Sequence, residues 1–376
     1  MVKAFFRKAA KVLLIVLCVI VVCLLAVILY FLAKSPGKPT PFLDEHGNVP
    51  EGSISEKIHV NVNGVEQGMF IRGADITNPV LLFLHGGPGM PEYFMFEKFD
   101  TELDKHFVIC YWEQRGAGLS YHSGISGDNL TVEQLVSDTA AVADYLCGRF
   151  GQEKVYLMSH SWGSFIGAQS AAANPELYHA YIGISQIMNQ AESEVLAVDY
   201  MLERYAENGN ARRVKQLEKF NVHNGDTAVY DFSASAIRDT VMHELGVGSM
   251  RDMNSVISGI FFPIMKCGAY TLREKINIWV AKSFLNKSTS LHREMLTTDL
   301  SKTHTEFDIP VYIFAGIYDY TVNYDLQKEY FTMINAPVKG FYTFDNSAHS
   351  PPFEEPGRFI GILLNDVLNG NSTLAD

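Results

Sequence analysis

Cysteine is scarce in this 376-residue chain, five in all with no C-x-x-C pair, so neither a disulfide framework nor a zinc–thiolate site is expected. No two histidines fall at H-E-x-x-H spacing either, and no metal is expected. Positive charge is in deficit: 30 Lys and Arg stand against 42 Asp and Glu, a net of −12. Six of the basic residues lie in positions 1–38, where there is no acid, so the rest of the chain carries −18. A body that acidic repels phosphate backbones, which excludes nucleic-acid binding as its main function. With 47% hydrophobic and only 19% charged residues, disorder is excluded too, and the length suffices for a large core.

One long hydrophobic run is present. Val12 to Ala33 is 22 residues without a charge, about 33 Å as a helix at about 1.5 Å per residue, which matches a bilayer core. A cleaved signal would have an apolar stretch of roughly 7–15 residues and a small residue two before the cleavage site. Here Phe31 holds that place before Ala33. Lys3, Arg7, Lys8 and Lys11 precede the run and only Lys34 and Lys38 follow it closely. That bias predicts a single-pass cell-membrane protein with residues 1–11 cytoplasmic, 12–33 spanning, and the remainder outside the cytoplasm. Residues 34–55 begin with Ser35-Pro36-Gly37-Lys38-Pro39-Thr40-Pro41, read as a stiff Pro-rich tether that acts as a spacer.

Beyond the tether, alternation around Lys57–Asn63 and Gln67–Arg72 predicts a hairpin, and Val80–Leu84 a buried central strand. Phe107–Trp112, Val155–Met158, Tyr181–Ile184, Val311–Ala315 and Gly340–Phe344 are further strand candidates. Helical spacing over Thr131–Phe150, Gly163–Asn174, Leu326–Ile334 and Pro356–Leu368 alternates with them. This order predicts an α/β fold with a mostly parallel central sheet and helices on both faces. Residues 189–305 carry helical patterns without strand signals, which predicts a helical cap inserted between two core segments, 56–188 and 306–376.

The chemistry is concentrated in three places. Val155–Met158 runs through Ser159-His160-Ser161-Trp162-Gly163 into a helix, a small-x-Ser-x-Gly turn that makes Ser161 the candidate nucleophile. His85-Gly86-Gly87-Pro88-Gly89 follows the central strand, where a backbone N–H of Gly86 or Gly87, with that of Trp162, would form an oxyanion hole. Of twelve histidines, His349 follows the last strand in a small-residue loop and is the candidate base. Asp319, in the turn after the preceding strand, is its candidate partner, giving the order Ser161, Asp319, His349. Asp345 competes for that role but lies only four residues before His349, so a structural role is expected for it, as for His160. Such a triad needs no cofactor, and none is expected.

These motifs resemble the α/β-hydrolase superfamily over about Glu56–Leu368, and within it the proline iminopeptidase (prolyl aminopeptidase) group. His85–Gly89 resembles the group's oxyanion loop, Tyr111–Ser120 its Trp-Asp-Gln-Arg-Gly-x-Gly-x-Ser segment, and Ser159–Ser164 its Gly-Gly-Ser-Trp-Gly-Ser elbow. Glu113 stands for the group's Asp, in an expected buried ion-pair framework with Arg115, and Ser159-His160 stands for Gly-Gly. The resemblance implies a serine hydrolase acting on a small peptide, amide or ester. An aminopeptidase also needs carboxylates for the substrate ammonium, for which Glu192, Glu194, Asp199 and Glu203 are candidates. Tyr230, Phe232, Phe261, Phe262, Trp279 and Phe284 are candidates for an apolar pocket. A carboxylesterase or lipase on the same triad is the alternative, and a non-catalytic binding module is disfavoured by the complete set of elements.

Overall fold

The computed structural model describes residues 2–43 and 46–376. Eight strands form one sheet: β1 (Ile54–Val62), β2 (Val65–Gly73), β3 (Val80–Leu84), β4 (Val108–Trp112), β5 (Val155–His160), β6 (Tyr178–Ile184), β7 (Val311–Gly316) and β8 (Lys339–Phe344). Their order across the sheet is β1-β2-β4-β3-β5-β6-β7-β8. β1 and β2 are antiparallel to each other and β2 to β4, and every later pairing is parallel. Asn63 and Gly64 close the β1–β2 hairpin with positive φ at both positions, the two-residue turn whose twist matches its strands. β3, β4 and β7 are buried along their whole length because helices cover both faces, which is why they read as unbroken apolar runs.

The helices that pack on this sheet start and stop on local signals. Thr131 accepts the Gln134 N–H at the start of Val132–Phe150, and Gly151, at φ 65°, ends that helix in the left-handed region. Trp162–Ala173 follows β5 directly, and Tyr324–Met333 follows β7 behind an Asn323 cap. The predicted helix over Pro356–Leu368 is α-helical only to Ile362 and finishes in a π turn, Leu363–Val367. Between β6 and β7 the chain is helical, from Gln190–Glu207 through Leu272–Ser288 to Leu291–Thr297, joined to itself by an isolated bridge between Asn189 and Asp299.

The N-terminal helix runs Val2–Ala33, and Phe5–Ala33 is long and apolar enough to cross a membrane. The segment after it, expected to be a stiff spacer, packs against the body where it begins. Ser35 is buried, Pro36 bridges Thr271, and the Gly37 N–H donates to Gly268 O at 3.0 Å. The Lys275 ammonium donates to Lys34 O, Ser35 Oγ and Met265 O at 2.8–2.9 Å. A buried ammonium needs three acceptors, and the tether supplies two of them.

The expected pairing of Glu113 with Arg115 is also corrected. Arg115 forks onto Asp138 instead, Nε to Oδ2 at 2.6 Å and a terminal nitrogen to Oδ1 at 2.8 Å. The two oxygens of Asp138, on the helix Val132–Phe150, fit that planar donor pair. Glu113 turns the other way, to the Tyr270 hydroxyl and to the Leu119 N–H. Burial without a cation pushes its carboxyl up to about 8.

Candidate active site

Ser161 sits where β5 turns into the helix Trp162–Ala173, with φ 54° and ψ −122°. A non-glycine residue in that region costs about 1–3 kcal/mol, held here by packing on both sides. The packing explains the small neighbours: a Cβ on Gly163 would lie 2.2 Å from Leu84 O, and one on Gly167 would lie 2.1 Å from Ser159 Oγ. Ser159 therefore fits beside Gly167 without opening the turn.

Asp319 is fully buried and its two oxygens are divided. Oδ1 accepts the N–H groups of Thr321 and Val322 at 2.9 Å, and Oδ2 accepts from His349 Nδ1 at 2.9 Å. The carboxylate is thus aimed by its own turn before it meets the imidazole. Asp345 is exposed and takes no part. Ser161, His349, Gly86 and Gly87 line one cavity of about 160 Å³.

Around His349 the chain is held tightly. Its carbonyl accepts from His160 Nε2 at 2.7 Å and from Ser185 Oγ at 2.9 Å. Glu354 brackets the loop by accepting the N–H groups of Ala348, Ser350 and Arg251, and burial raises its carboxyl to about 7 although these donors pull the other way. His160 Nδ1 meets the Glu92 carboxylate at 2.9 and 3.0 Å. Burial acts to lower the His160 pKa, but the adjacent Glu92 charge outweighs it and holds the imidazolium above its ordinary range. Burial likewise acts to raise Glu92, and the His160 charge keeps that carboxyl below its usual value.

The glycine loop is more specific than its sequence. Gly86 N–H donates to Glu92 Oε1 at 2.7 Å and is spent there. The N–H groups of Gly87 and Trp162 make no hydrogen bond among the described residues, so of the three candidate donors these two are free to meet an oxyanion. Gly87 has φ 129°, and a Cβ there would lie 2.3 Å from Gly89 N, so only glycine fits. His85 is fixed as a neutral ring: Nδ1 donates to Gly86 O, Nε2 accepts the Gln114 N–H, and burial lowers its pKa to about 4.

A family model described as the alpha/beta hydrolase fold matches residues 79–356. The chain belongs to the α/β-hydrolase family. This hydrolase is 30% identical over 328 residues to the probable aminopeptidase YbaC of Bacillus subtilis, spanning 84% of this chain and 97% of that protein. Its fold is similar to the crystal structure of proline iminopeptidase from Mycobacterium smegmatis, with TM-score 0.56 and 15% identity over 82% of this chain and 96% of that one. It is similar also to a membrane phospholipase A, a bacterial virulence factor, with TM-score 0.57 and 16% identity over 98% of this chain and 99% of that one. At those identities the two structures speak to the fold alone. The chain is therefore a hydrolase of the α/β-hydrolase fold, similar in sequence to a probable aminopeptidase.

A second, larger cavity of about 510 Å³ also reaches Ser161 and is walled by the helices between β6 and β7. Of the four carboxylates expected for the substrate ammonium, it contains only Glu194, whose two oxygens are taken by Arg238 at 2.6 and 2.7 Å. Glu192, Asp199 and Glu203 are exposed, with Asp199 paired to His223 and Glu203 beside Arg204. Residues seven and eleven apart share a helix face, so these three point outward together while Glu194 lies opposite. Asp239, which sequence reasoning did not single out, is on the wall of both cavities. Burial acts to raise its carboxyl, but Arg238 and Lys282 outweigh that and hold it low. Of the aromatic candidates, Tyr230 and Trp279 line the larger cavity. Phe232 is in a core cluster, Phe284 packs on Tyr121, Phe261 stacks near Trp279, and Phe262 is exposed.

Proposed function

We propose that this α/β-hydrolase is a membrane-anchored serine hydrolase working through an acyl-enzyme, with Ser161 as nucleophile, His349 as base and Asp319 as its orienting carboxylate. The observation that carries the proposal is the strained Ser161 turn sharing a cavity with an imidazole tied to a buried Asp319. Ser161 Oγ attacks the scissile carbonyl as its proton passes to His349 Nε2, while Asp319 keeps Nδ1 protonated and stabilises the imidazolium. The N–H groups of Gly87 and Trp162 receive the developing oxyanion. His349 then delivers the proton to the leaving group, and a water deprotonated by the same nitrogen releases the acyl group.

The preferred substrate class is a peptide with N-terminal proline: the probable aminopeptidase relative supports the aminopeptidase class, and the resemblance of the motifs supports the choice of proline. Asp239 is the residue assigned to the substrate ammonium, because Arg238 takes both oxygens of Glu194 but reaches Asp239 through one nitrogen at 3.4 Å, leaving its other oxygen open. Ester hydrolysis is the second reading, favoured by Lys282 and Arg238, which leave the larger cavity without net negative charge. Residues 189–305 act as the cap over a core formed by 56–188 and 306–376. Phe5–Ala33 anchors the chain, with the basic N-terminus cytoplasmic and the catalytic part outside.

Hydrolysis of a prolyl-anilide and of short-chain aryl esters by the full chain in detergent, with Asp239→Asn and Ser161→Ala, tests this reading. Ser161-dependent prolyl-anilide turnover whose KM rises in Asp239→Asn, with ester turnover unmoved, supports the aminopeptidase. Ester turnover alone replaces it by the second reading.

A further inference from the structure

The Lys275 ammonium joins three pieces of the chain: the exit of the N-terminal helix through Lys34 O and Ser35 Oγ, the helix Phe262–Lys266 through Met265 O, and its own helix, Leu272–Ser288. Where the membrane helix ends, these two helices begin, with no slack between them. The first, with the π turn Ile257–Phe261 that leads into it, and the second carry apolar side chains that the protein leaves uncovered: Ile257 is 63% exposed, Phe262 44%, Ile276 53% and Val280 43%.

These side chains lie on neighbouring helices that touch. The Phe262 N–H donates to Ile257 O across a π turn, which stacks the two residues on one side. Ile276 and Val280 are four apart on their helix and share a side as well. Phe261, between the members of the first pair, lies 5.9 Å from the ring of Trp279 and joins the two helices. From Lys275 to Val280 is about 7.5 Å along the helix, at about 1.5 Å per residue. The headgroup layer on each side of a bilayer is about 5–7.5 Å deep. A face fastened at the end of a spanning helix therefore lies within that layer.

Charge agrees with this placement. Lys34, Lys38, Lys266 and Arg273 are exposed around the apolar side chains, and none of them forms an ion pair among the described residues. Such a cationic rim on a strongly acidic protein complements anionic lipid headgroups.

We propose that the face carrying Ile257, Phe262, Ile276 and Val280 is seated in the headgroup layer of the membrane that holds the N-terminal helix. This rests on the anchored reading above and extends it: the body does not swing on its tether but lies on the lipid. The inner side of the same helices carries Val256, Ile260 and Trp279, which line the Ser161 cavities. An amphiphile in that leaflet reaches the cavity wall without crossing bulk water.

The test uses the full chain with Cys18→Ala, Cys23→Ala and Cys147→Ala, reconstituted in phosphatidylcholine–phosphatidylglycerol vesicles. A nitroxide is attached at Ile257→Cys, at Ile276→Cys or, as a control, at Met333→Cys, a residue of similar exposure on the helix that packs against β7. Flotation with the vesicles reports the anchor. Collision with lipid-soluble oxygen against a water-soluble nickel complex reports the face. Seating predicts flotation of all three, oxygen-dominated collision at Ile257 and Ile276, and nickel-dominated collision at Met333. Flotation with nickel-dominated collision at all three sites overturns the seating and leaves the anchor standing, whereas failure to float overturns the anchor and the seating with it.

Discussion

His160 Nε2 donates to the main-chain oxygen of His349 at 2.7 Å, so the residue beside Ser161 holds the proposed base in place. Glu92 stands behind both halves of the site, accepting from His160 on one side and from Gly86 N–H on the other. Glu92→Ala therefore loosens the His349 loop and the glycine loop together, and kcat is expected to fall up to about 100-fold, the cost of roughly an ångström of misplacement. Steady-state kinetics on the folded variant check this; an unchanged kcat would assign Glu92 to stability alone.

Asp319 and Asp345 are separated by environment, one buried and holding His349, the other exposed. Asp319→Asn keeps the shape but allows the wrong imidazole tautomer, and kcat is expected to fall about 10⁴-fold. Asp345→Asn should turn over as the wild type does. Equal losses in the two would undo the assignment.

Gly163 has no room for a side chain, since its Cβ would meet Leu84 O at 2.2 Å. Gly163→Ala must push the Ser161 turn away from β3, at a cost of about 1–3 kcal/mol as for other overpacked sites. Thermal unfolding in detergent should show a lower Tm together with lost turnover, and a variant unaffected in both would mean the turn is less confined than its geometry.

Glu113 supplies a pH signature. Its folded pKa, about 8, lies above the usual carboxyl value of 4.5, so its contribution to stability is full below pH 4.5 and is lost as pH rises to 8. The loss is at most about 5 kcal/mol, from about 1.4 kcal/mol per pH unit. Glu113→Gln, which can still accept from Leu119 N–H, should flatten that decline and raise Tm at pH 8. Parallel Tm profiles for wild type and variant would contradict the neutral carboxyl.

Much of the fold was legible because its signals are local. The apolar runs of β3, β4 and β7, the small residues flanking Ser161 and the loop after β8 each reveal themselves within ten residues. What escaped was set by long-range meetings. Nothing near Lys275 announces that it binds Lys34 and Ser35, 240 residues earlier, and Glu92 lies 68 residues from His160. Glu192, Asp199 and Glu203 share a helix with Glu194 but face solvent, and only the packed structure separates the two sides of that helix. Asp239 belongs to a helix whose approach to Ser161 only tertiary packing decides. Gly86 looked equivalent to Gly87 until Glu92 took its N–H.

The most direct measurement is labelling of the full chain with a fluorophosphonate, followed by mass spectrometry of the peptide spanning β5 and the turn. A single adduct on Ser161, absent from Ser161→Ala and much slowed in Asp319→Asn, is the predicted result. An adduct on Ser159 or Ser164, or none on a chain that hydrolyses substrate, would contradict Ser161 as the nucleophile.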